Sequence, residues 1–176
     1  MIRVFVLNGV NLGTLGTRQP EVYGNLTLDD MEKLLRDEFP NVDLEFRQTD
    51  FEGEMVSFVG EAAGSDGLII NPGAWTHYSY ALHDALEAVD VPKVEVHLSN
   101  IHTREQWRRV SVISPSVDAV VAGMGPGGYV AAVAHVLMRG AGRGQSRSSP
   151  QLRADVGDAP VSDRAPRGGG VGEPIR

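Results

Sequence analysis

The 176-residue sequence contains no cysteine, so neither disulfide bonds nor thiolate metal sites can contribute to it. It also lacks a basic N-terminal region followed by a long apolar stretch. The chain begins directly with the apolar run Ile2–Leu7, which is too short for a signal peptide or a membrane span. We therefore expect a cytoplasmic protein that has no membrane partner.

Basic residues are scarce: 16 Lys and Arg stand against 23 Asp and Glu. Six of the basic residues and four of the acidic residues lie from Gly140 onward. This leaves 10 basic and 19 acidic residues, a net charge of −9, in residues 1–139. Because an acidic domain repels a phosphate backbone, we expect no nucleic-acid partner. The hydrophobic content of 41% is typical of a globular protein.

Short apolar runs alternate with segments of helical periodicity in residues 1–139. The runs are Ile2–Leu7, Val42–Phe46, Leu68–Ile70, Val94–Val96 and Ala119–Ala122. The predicted helices begin after Thr27, at Glu54, near Tyr78 and near Gly128. This pattern predicts one α/β domain of the flavodoxin-like type, with a five-stranded parallel sheet, helices on both faces and ligands beyond the carboxyl ends of the strands.

Residues 140–176 have a different composition, with eight Gly, four Pro, four Ser and no aromatic residue. Such a segment buries too little apolar surface to offset the entropy cost of ordering it. The sequence therefore predicts a disordered tail after the domain.

A long connection follows the first predicted strand and runs from Asn8 to Gly24. Its opening segment, Asn8–Gly13, matches neither a dinucleotide fingerprint nor a P-loop. Glycines there allow a tight turn and a close approach of the backbone to a ligand, although a plain turn is the alternative. Arg18 and Tyr23 lie further along the connection. Its length is typical of a functional lid, and a surface aromatic is the other interpretation of Tyr23.

Titratable side chains follow the third and fourth predicted strands. His77 lies at the entrance to a helix, and Asp84 follows two turns later on the same face, where capping or surface roles are the alternatives. Glu95 and His97 alternate by two and leave their strand on one face. A carboxylate beside an imidazole fixes its tautomer and raises its basicity, as an acid–base histidine needs. A buried structural histidine is the alternative.

Arg104 and Arg108 follow the histidine and are spaced by one helical turn. That spacing lets both guanidinium groups face the same cleft.

These motifs, taken in order, resemble the type II 3-dehydroquinate dehydratase family. They are Asn8-Gly9-x-Asn11-Leu12-Gly13-x-Leu15-Gly16-x-Arg18-x-Pro20-x-x-Tyr23-Gly24, Arg47–Asp50 with Glu52–Glu54, Asn71-Pro72-Gly73-Ala74-x-Thr76-His77, Glu95–Asn100 and Gly123-x-Gly125-x-x-Gly128-Tyr129. The resemblance covers residues 2 to about 138 and is specific, because several spaced motifs agree in order.

The resemblance implies that 3-dehydroquinate loses water by anti elimination through an enolate, with no metal and no organic cofactor. It implies that Tyr23 takes the C2 proton, that His97 protonates the departing C1 hydroxyl and that Asn11 holds the water that stabilises the enolate oxygen. A free tyrosine has a pKa of about 10, so this base needs cations nearby to act at neutral pH. By the motif match, these would be Arg18 and Arg104.

The remaining site residues also come from the resemblance. Asn71 with Leu98 and Ser99 would bind the carboxylate, and Glu95 would orient His97. His77 and Arg108 would bind ring hydroxyls or the carboxylate. Asp84 matches a carboxylate that the family reaches across a subunit boundary, and the family assembles as a homododecamer built from trimers.

Three alternatives remain at this point. Trp75, Tyr78, Tyr80 and His83 depart from the family pattern, which leaves open a paralogue that acts on an amino or otherwise modified dehydroquinate. A non-catalytic flavodoxin-like binding module is the second alternative. The third is a metal hydrolase that uses His77, Asp84 and His97. For the dehydratase, the shikimate pathway is the expected role, and quinate breakdown uses the same step.

Overall fold

Five parallel strands form one sheet in the part of the chain that the structure describes. The structure is a computed structural model that describes residues 1–16 and 26–143, with side chains up to residue 140. The strands are β1 (Ile2–Asn8), β2 (Val42–Gln48), β3 (Gly67–Asn71), β4 (Lys93–His97) and β5 (Ala119–Ala122). The helices are α1 (Leu28–Glu38), α2 (Glu52–Glu61), α3 (Tyr80–Glu87) and α4 (Gly127–Arg143).

The strand order is β2-β1-β3-β4-β5, and every neighbouring pair is parallel. Asn8 at the end of β1 pairs with Gln48 on one side and with Asn71 on the other, so three strands end at one level. This is the doubly wound order expected of a flavodoxin-like domain. The predicted fold class is therefore confirmed.

Local signals explain where the helices begin. Thr27 caps α1 through a reciprocal capping box with Asp30, and the Ser79 hydroxyl accepts from the backbone N–H of Leu82 at the start of α3. The third helix therefore begins at Tyr80, two residues later than predicted. The second begins at Glu52 instead of Glu54, after the extended residue Phe51.

Two apolar layers cover the two faces of the sheet. Alternation along β1 sends Val4 and Val6 to one layer and Phe5 and Leu7 to the other. The first layer is closed by buried residues of α1 and α4, namely Met31, Leu35, Tyr129, Val133 and Val136. The second is closed by buried residues of α2 and α3, namely Met55, Val59, Leu82 and Leu86.

The last helix, α4, extends beyond the predicted domain boundary at residue 139. It continues to Arg143, four residues past that boundary, and residues 144–176 lie outside the described residues. The disordered tail stays a prediction. Within the described residues, no helix is both long and apolar enough to cross a membrane.

Candidate active site

A cleft of about 240 Å³ lies at the carboxyl ends of β1, β3 and β4. Its walls come from three connections, at residues 10–15, 71–77 and 97–108. The strand order reverses between β1 and β3, and a doubly wound sheet leaves a crevice at such a point. The predicted site residues that line the cleft are Asn11, Asn71, His77, His97, Leu98, Ser99, Arg104 and Arg108.

Two glycines let the connections after β1 and β3 pack directly on each other. A Cβ at Gly9 would lie 2.6 Å from the carbonyl oxygen of Pro72, and one at Gly73 would lie 2.8 Å from that of Val10. Gly73 also has a φ of +62°, which strongly favours glycine. Gly9 thus approaches the backbone at Pro72 in the connection after β3, whereas the glycines of Asn8–Gly13 were expected to let the backbone approach a ligand.

Asn11 stands in the left-handed conformation, with a φ of 67°. Its backbone N–H donates to the Asp50 carboxylate over 2.7 Å, and the Gln48 amide donates to the same oxygen over 3.2 Å. Asp50 thus holds the turn from the connection after β2, which leaves the exposed Asn11 side chain at the cleft. Sequence reasoning assigned Asp50 no role, although the residue belongs to a motif that carried the resemblance.

Glu95 and His97 project from the same face of β4, as predicted. His97 is only 5% exposed, and its Nε2–H donates to the fully buried Glu95 carboxylate over 2.6 Å. The second ring nitrogen, Nδ1, therefore remains for a ligand in the cleft. The structure brings Glu95 directly behind the histidine, in a position suited to orienting it.

Two hydroxyl groups complete the surroundings of Glu95. The Ser111 hydroxyl lies 3.0 Å from each carboxylate oxygen, and the Thr76 hydroxyl donates to one of them. A buried carboxylate is costly unless donors surround it, and these groups offset that cost. Sequence reasoning gave neither residue a role. Thr76 stood within a recognised motif, whereas the sequence offered no spacing signal for Ser111.

His77 is held in one orientation from two sides. Its Nδ1 lies 2.7 Å from the Val110 carbonyl oxygen, and its ring meets Trp107 edge-to-face with centroids 5.2 Å apart. Burial, as the main cause, lowers the pKa of His77, so the neutral ring is favoured. Since a carbonyl only accepts, Nδ1–H is the donor, and Nε2 is an acceptor.

Arg104 and Arg108 bring positive charge to the cleft of an acidic domain. Glu105 lies between them, 3.7 Å from Arg104 Nε and 3.0 Å from Arg108 Nε, and the Arg108 guanidinium lies 4.0 Å over the Trp107 ring. The predicted spacing of one helical turn is not the reason for their proximity. Arg104 terminates the 3-10 turn Ile101–Thr103, and Arg108 belongs to the separate turn Gln106–Arg109.

Asp84 does not join the cleft. It is exposed on α3, whereas His77 belongs to the separate 3-10 turn Gly73–His77. The expectation that both share one helix face is wrong, because the chain breaks its helical path between Tyr78 and Ser79. In the described residues, no three His, Cys, Asp or Glu side chains form a metal-binding group.

His83 also lies away from the cleft, where its Nδ1 contacts the Val112 carbonyl and the Ser116 hydroxyl. Arg18 and Tyr23, the other two predicted catalytic residues, lie outside the described residues. Of the described tyrosines, Tyr78 and Tyr80 are exposed. Burial raises the pKa of the third, Tyr129, which is the wrong direction for a base.

Comparisons with known proteins agree on one family. The sequence pattern of "Dehydroquinase class II" matches residues 2–137. A protein named 3-dehydroquinate dehydratase from Desulfitobacterium hafniense is 45% identical over 139 residues, which is 78% of this chain and 96% of that protein. The crystal structure of a type II dehydroquinase from Butyrivibrio crossotus superposes with a TM-score of 0.75 at 38% identity, covering 77% of this chain and 97% of that one. A second, from Propionibacterium acnes, gives a TM-score of 0.73 at 41% identity, with 78% and 97% covered.

Proposed function

This chain belongs to the class II dehydroquinase family, and from that premise we propose that it dehydrates 3-dehydroquinate to 3-dehydroshikimate. The C2–H and C1–O bonds break on opposite faces of the ring, through an enolate, and water leaves. The observation that carries this function is His97 in the cleft lining, with its Nε2–H hydrogen-bonded to the buried carboxylate of Glu95. We assign the step to the shikimate pathway and the enzyme to the cytoplasm.

His97 is the acid in this proposal. Its Nε2–H stays hydrogen-bonded to the Glu95 carboxylate. The proton that reaches the departing C1 hydroxyl therefore comes from Nδ1. The Glu95 carboxylate stabilises the imidazolium before the transfer, while the hydroxyls of Ser111 and Thr76 keep that carboxylate in place. The fixed orientation of the His97 ring and the negative charge of Glu95 therefore suit an acid that must release the proton on Nδ1.

Tyr23 is the base, and its assignment rests on the motif shared with the family. Arg18 and Arg104 favour the tyrosinate form, and the position of Arg104 in the cleft wall supports its part. Asn11 holds the water that stabilises the enolate oxygen. Its exposed side chain at the cleft, on a backbone fixed by Asp50, supports that role.

Different residues bind the charged carboxylate and the neutral hydroxyls of the substrate. Asn71, Leu98 and Ser99 bind the carboxylate, in the cleft that Arg104 and Arg108 also line. A neutral His77 with Nε2 as an acceptor suits a ring hydroxyl better than a carboxylate. Arg108, as a fixed cation, can bind either group.

We also propose a homododecamer built from trimers, in which Asp84 acts on the site of a neighbouring subunit. The exposure of Asp84 on α3, close in sequence to the exposed side chains of Tyr78 and Tyr80, supports this role. Light scattering on the purified protein tests it, because a stable monomer with full turnover would contradict the assembly.

One assay tests the function. Purified protein with 3-dehydroquinate should produce the ultraviolet absorbance of the conjugated enone. Absence of that signal from well-folded protein would overturn the proposal. A flavodoxin-like binding module would give none, and a paralogue would prefer an amino analogue of the substrate. Two of the departures from the family pattern, Trp75, which is buried, and His83, lie outside the cleft lining, which favours the ordinary substrate.

Asn11 can be tested with two variants that separate its amide from its backbone. Asn11→Ala and Asn11→Gly should both lower kcat by about 10²-fold, because each removes the group that holds the water. Only the alanine variant should also lose about 1 kcal/mol of unfolding free energy, because Asn and Gly adopt the left-handed φ of 67° more readily than Ala does. Steady-state kinetics and urea denaturation measure the two effects. Full turnover in Asn11→Gly would show that the side chain has no role.

Ser111→Ala should lower kcat by about tenfold with little change in KM, because Glu95 loses a buried hydrogen bond that helps it to orient His97. Ser114→Ala is the matched control. Its hydroxyl donates to the Ser111 carbonyl, away from the carboxylate, so kcat should stay near that of the wild type. Equal kcat losses in the two variants would contradict the role of Ser111.

A further inference from the structure

A buried chain of side-chain hydrogen bonds runs from the cleft into the core. Asn8 and Tyr129 are fully buried and Asn71 is 3% exposed. The Tyr129 hydroxyl lies 2.7 Å from Asn8 Oδ1 and 2.9 Å from Asn71 Nδ2. One phenol from α4 thus joins the last residues of β1 and β3, the two strands at which the sheet order reverses.

The direction of every bond in this chain follows from one backbone group. The Gly73 N–H, which can only donate, lies 3.2 Å from Asn71 Oδ1, so the amide nitrogen of Asn71 must face Tyr129. Tyr129 therefore accepts from Asn71 and gives its own proton to Asn8 Oδ1. Burial raises the pKa of Tyr129, which keeps that proton on the phenol.

The side-chain amide of Asn71 has two N–H groups, and one of them donates to the Tyr129 hydroxyl. We propose that Tyr129 is a positioning residue that acts through Asn71, turning the second N–H of that amide into the cleft to bind the carboxylate of the substrate. This inference rests on the proposed function, which assigns the carboxylate to Asn71. A flipped amide would present its carbonyl oxygen, which repels an anion, so the orientation decides whether the site accepts its substrate.

Tyr129→Phe tests the inference because it keeps the ring in the core and removes only the hydroxyl. KM for 3-dehydroquinate should rise about fivefold to thirtyfold, while kcat stays within about threefold, as expected when an interaction equal in ground and transition states is weakened. Ser116→Ala, which removes a buried hydroxyl outside the cleft lining, should change neither constant. An unchanged KM in Tyr129→Phe would overturn the inference.

A double-mutant cycle separates positioning from general stability. If Tyr129 acts through Asn71, then adding Tyr129→Phe to Asn71→Ala should change KM by less than about twofold. The same rise in both backgrounds would show a structural role and overturn the inference.

Should Tyr129→Phe fail to fold, Asn8→Val replaces it. That variant removes the acceptor of the phenol proton and should raise KM in the same direction, so an unchanged KM there would also count against the inference.

A substrate-free measurement separates this inference from the proposed function. In ¹⁵N-labelled protein, the side-chain amide protons of Asn71 should exchange with solvent several-fold faster in Tyr129→Phe than in the wild type. The Asn71→Ala variant identifies that resonance by its loss. Wild-type protein that fails to convert 3-dehydroquinate would refute the function, whereas equal exchange rates would refute the role of Tyr129.

Discussion

His97→Ala should lower kcat by about 10²- to 10⁴-fold and leave KM within about threefold of the wild type. Hydroxide is a poor leaving group, so the C1–O bond breaks readily only if a proton arrives as it lengthens. In the cleft, the imidazole held by Glu95 has its Nδ1 free for that transfer. An alanine leaves the fold unchanged but supplies no proton. Steady-state kinetics with thermal unfolding as a control checks both parts.

Glu95→Gln is the companion variant, because the histidine remains but loses its anionic neighbour. The kcat should fall by about 10- to 100-fold, since an amide stabilises an imidazolium less well than a carboxylate does. Wild-type turnover in Glu95→Gln, or normal turnover in His97→Ala, would contradict the assignment.

Arg18→Ala should lower turnover at pH 7 by about 10²- to 10³-fold while the fold persists. A useful tyrosinate needs the pKa of Tyr23 reduced from about 10 to about 7–8, which corresponds to about 3–4 kcal/mol of stabilisation by nearby cations. Without Arg18 that pKa rises, and because the deprotonated form is the active one, the activity should recover as the pH is raised towards about 10. Rate measurements across that range follow the recovery.

Two further variants distinguish charge from geometry at this position. Arg18→Lys keeps a cation and should retain more neutral-pH activity than Arg18→Ala. Tyr23→Phe has no proton to lose, so its activity should be very low at every pH. Near-normal turnover of Arg18→Ala at pH 7 would refute the tyrosinate mechanism, and turnover in Tyr23→Phe would refute the base.

The sheet and the cleft residues were predicted correctly because strands alternate with helices along the chain and because the polar residues lie at strand ends. Apolar runs separated by helical segments imply a parallel doubly wound sheet, and such a sheet places its ligand site at the carboxyl ends. Asn11, Asn71, His77 and His97 follow strand ends, so they meet in one cleft. Helix starts were less accurate, because Ser79 and Phe51 begin α3 and α2 through local backbone geometry that periodicity does not report.

Contacts between distant segments account for what sequence reasoning missed. Ser111 reaches Glu95, and Asp50 reaches the backbone of Asn11, from parts of the chain that no spacing rule connects to them. Asp84 failed for the opposite reason, since the sequence suggested a continuous helix from His77 where the chain breaks at Tyr78.

The sequence by itself determined the sheet, the family and the pairing of His97 with Glu95 on one face of a strand, because periodicity and motif order are local properties of the chain. Only the tertiary structure decided which side-chain atoms are already hydrogen-bonded within the protein and which remain for a ligand. It turned Nε2 of His97 towards Glu95, made Nε2 of His77 an acceptor and set the direction of the Asn71 amide through Tyr129. Each choice depends on a hydrogen bond to a residue far along the chain, and such bonds exist only once the fold has brought the partners together.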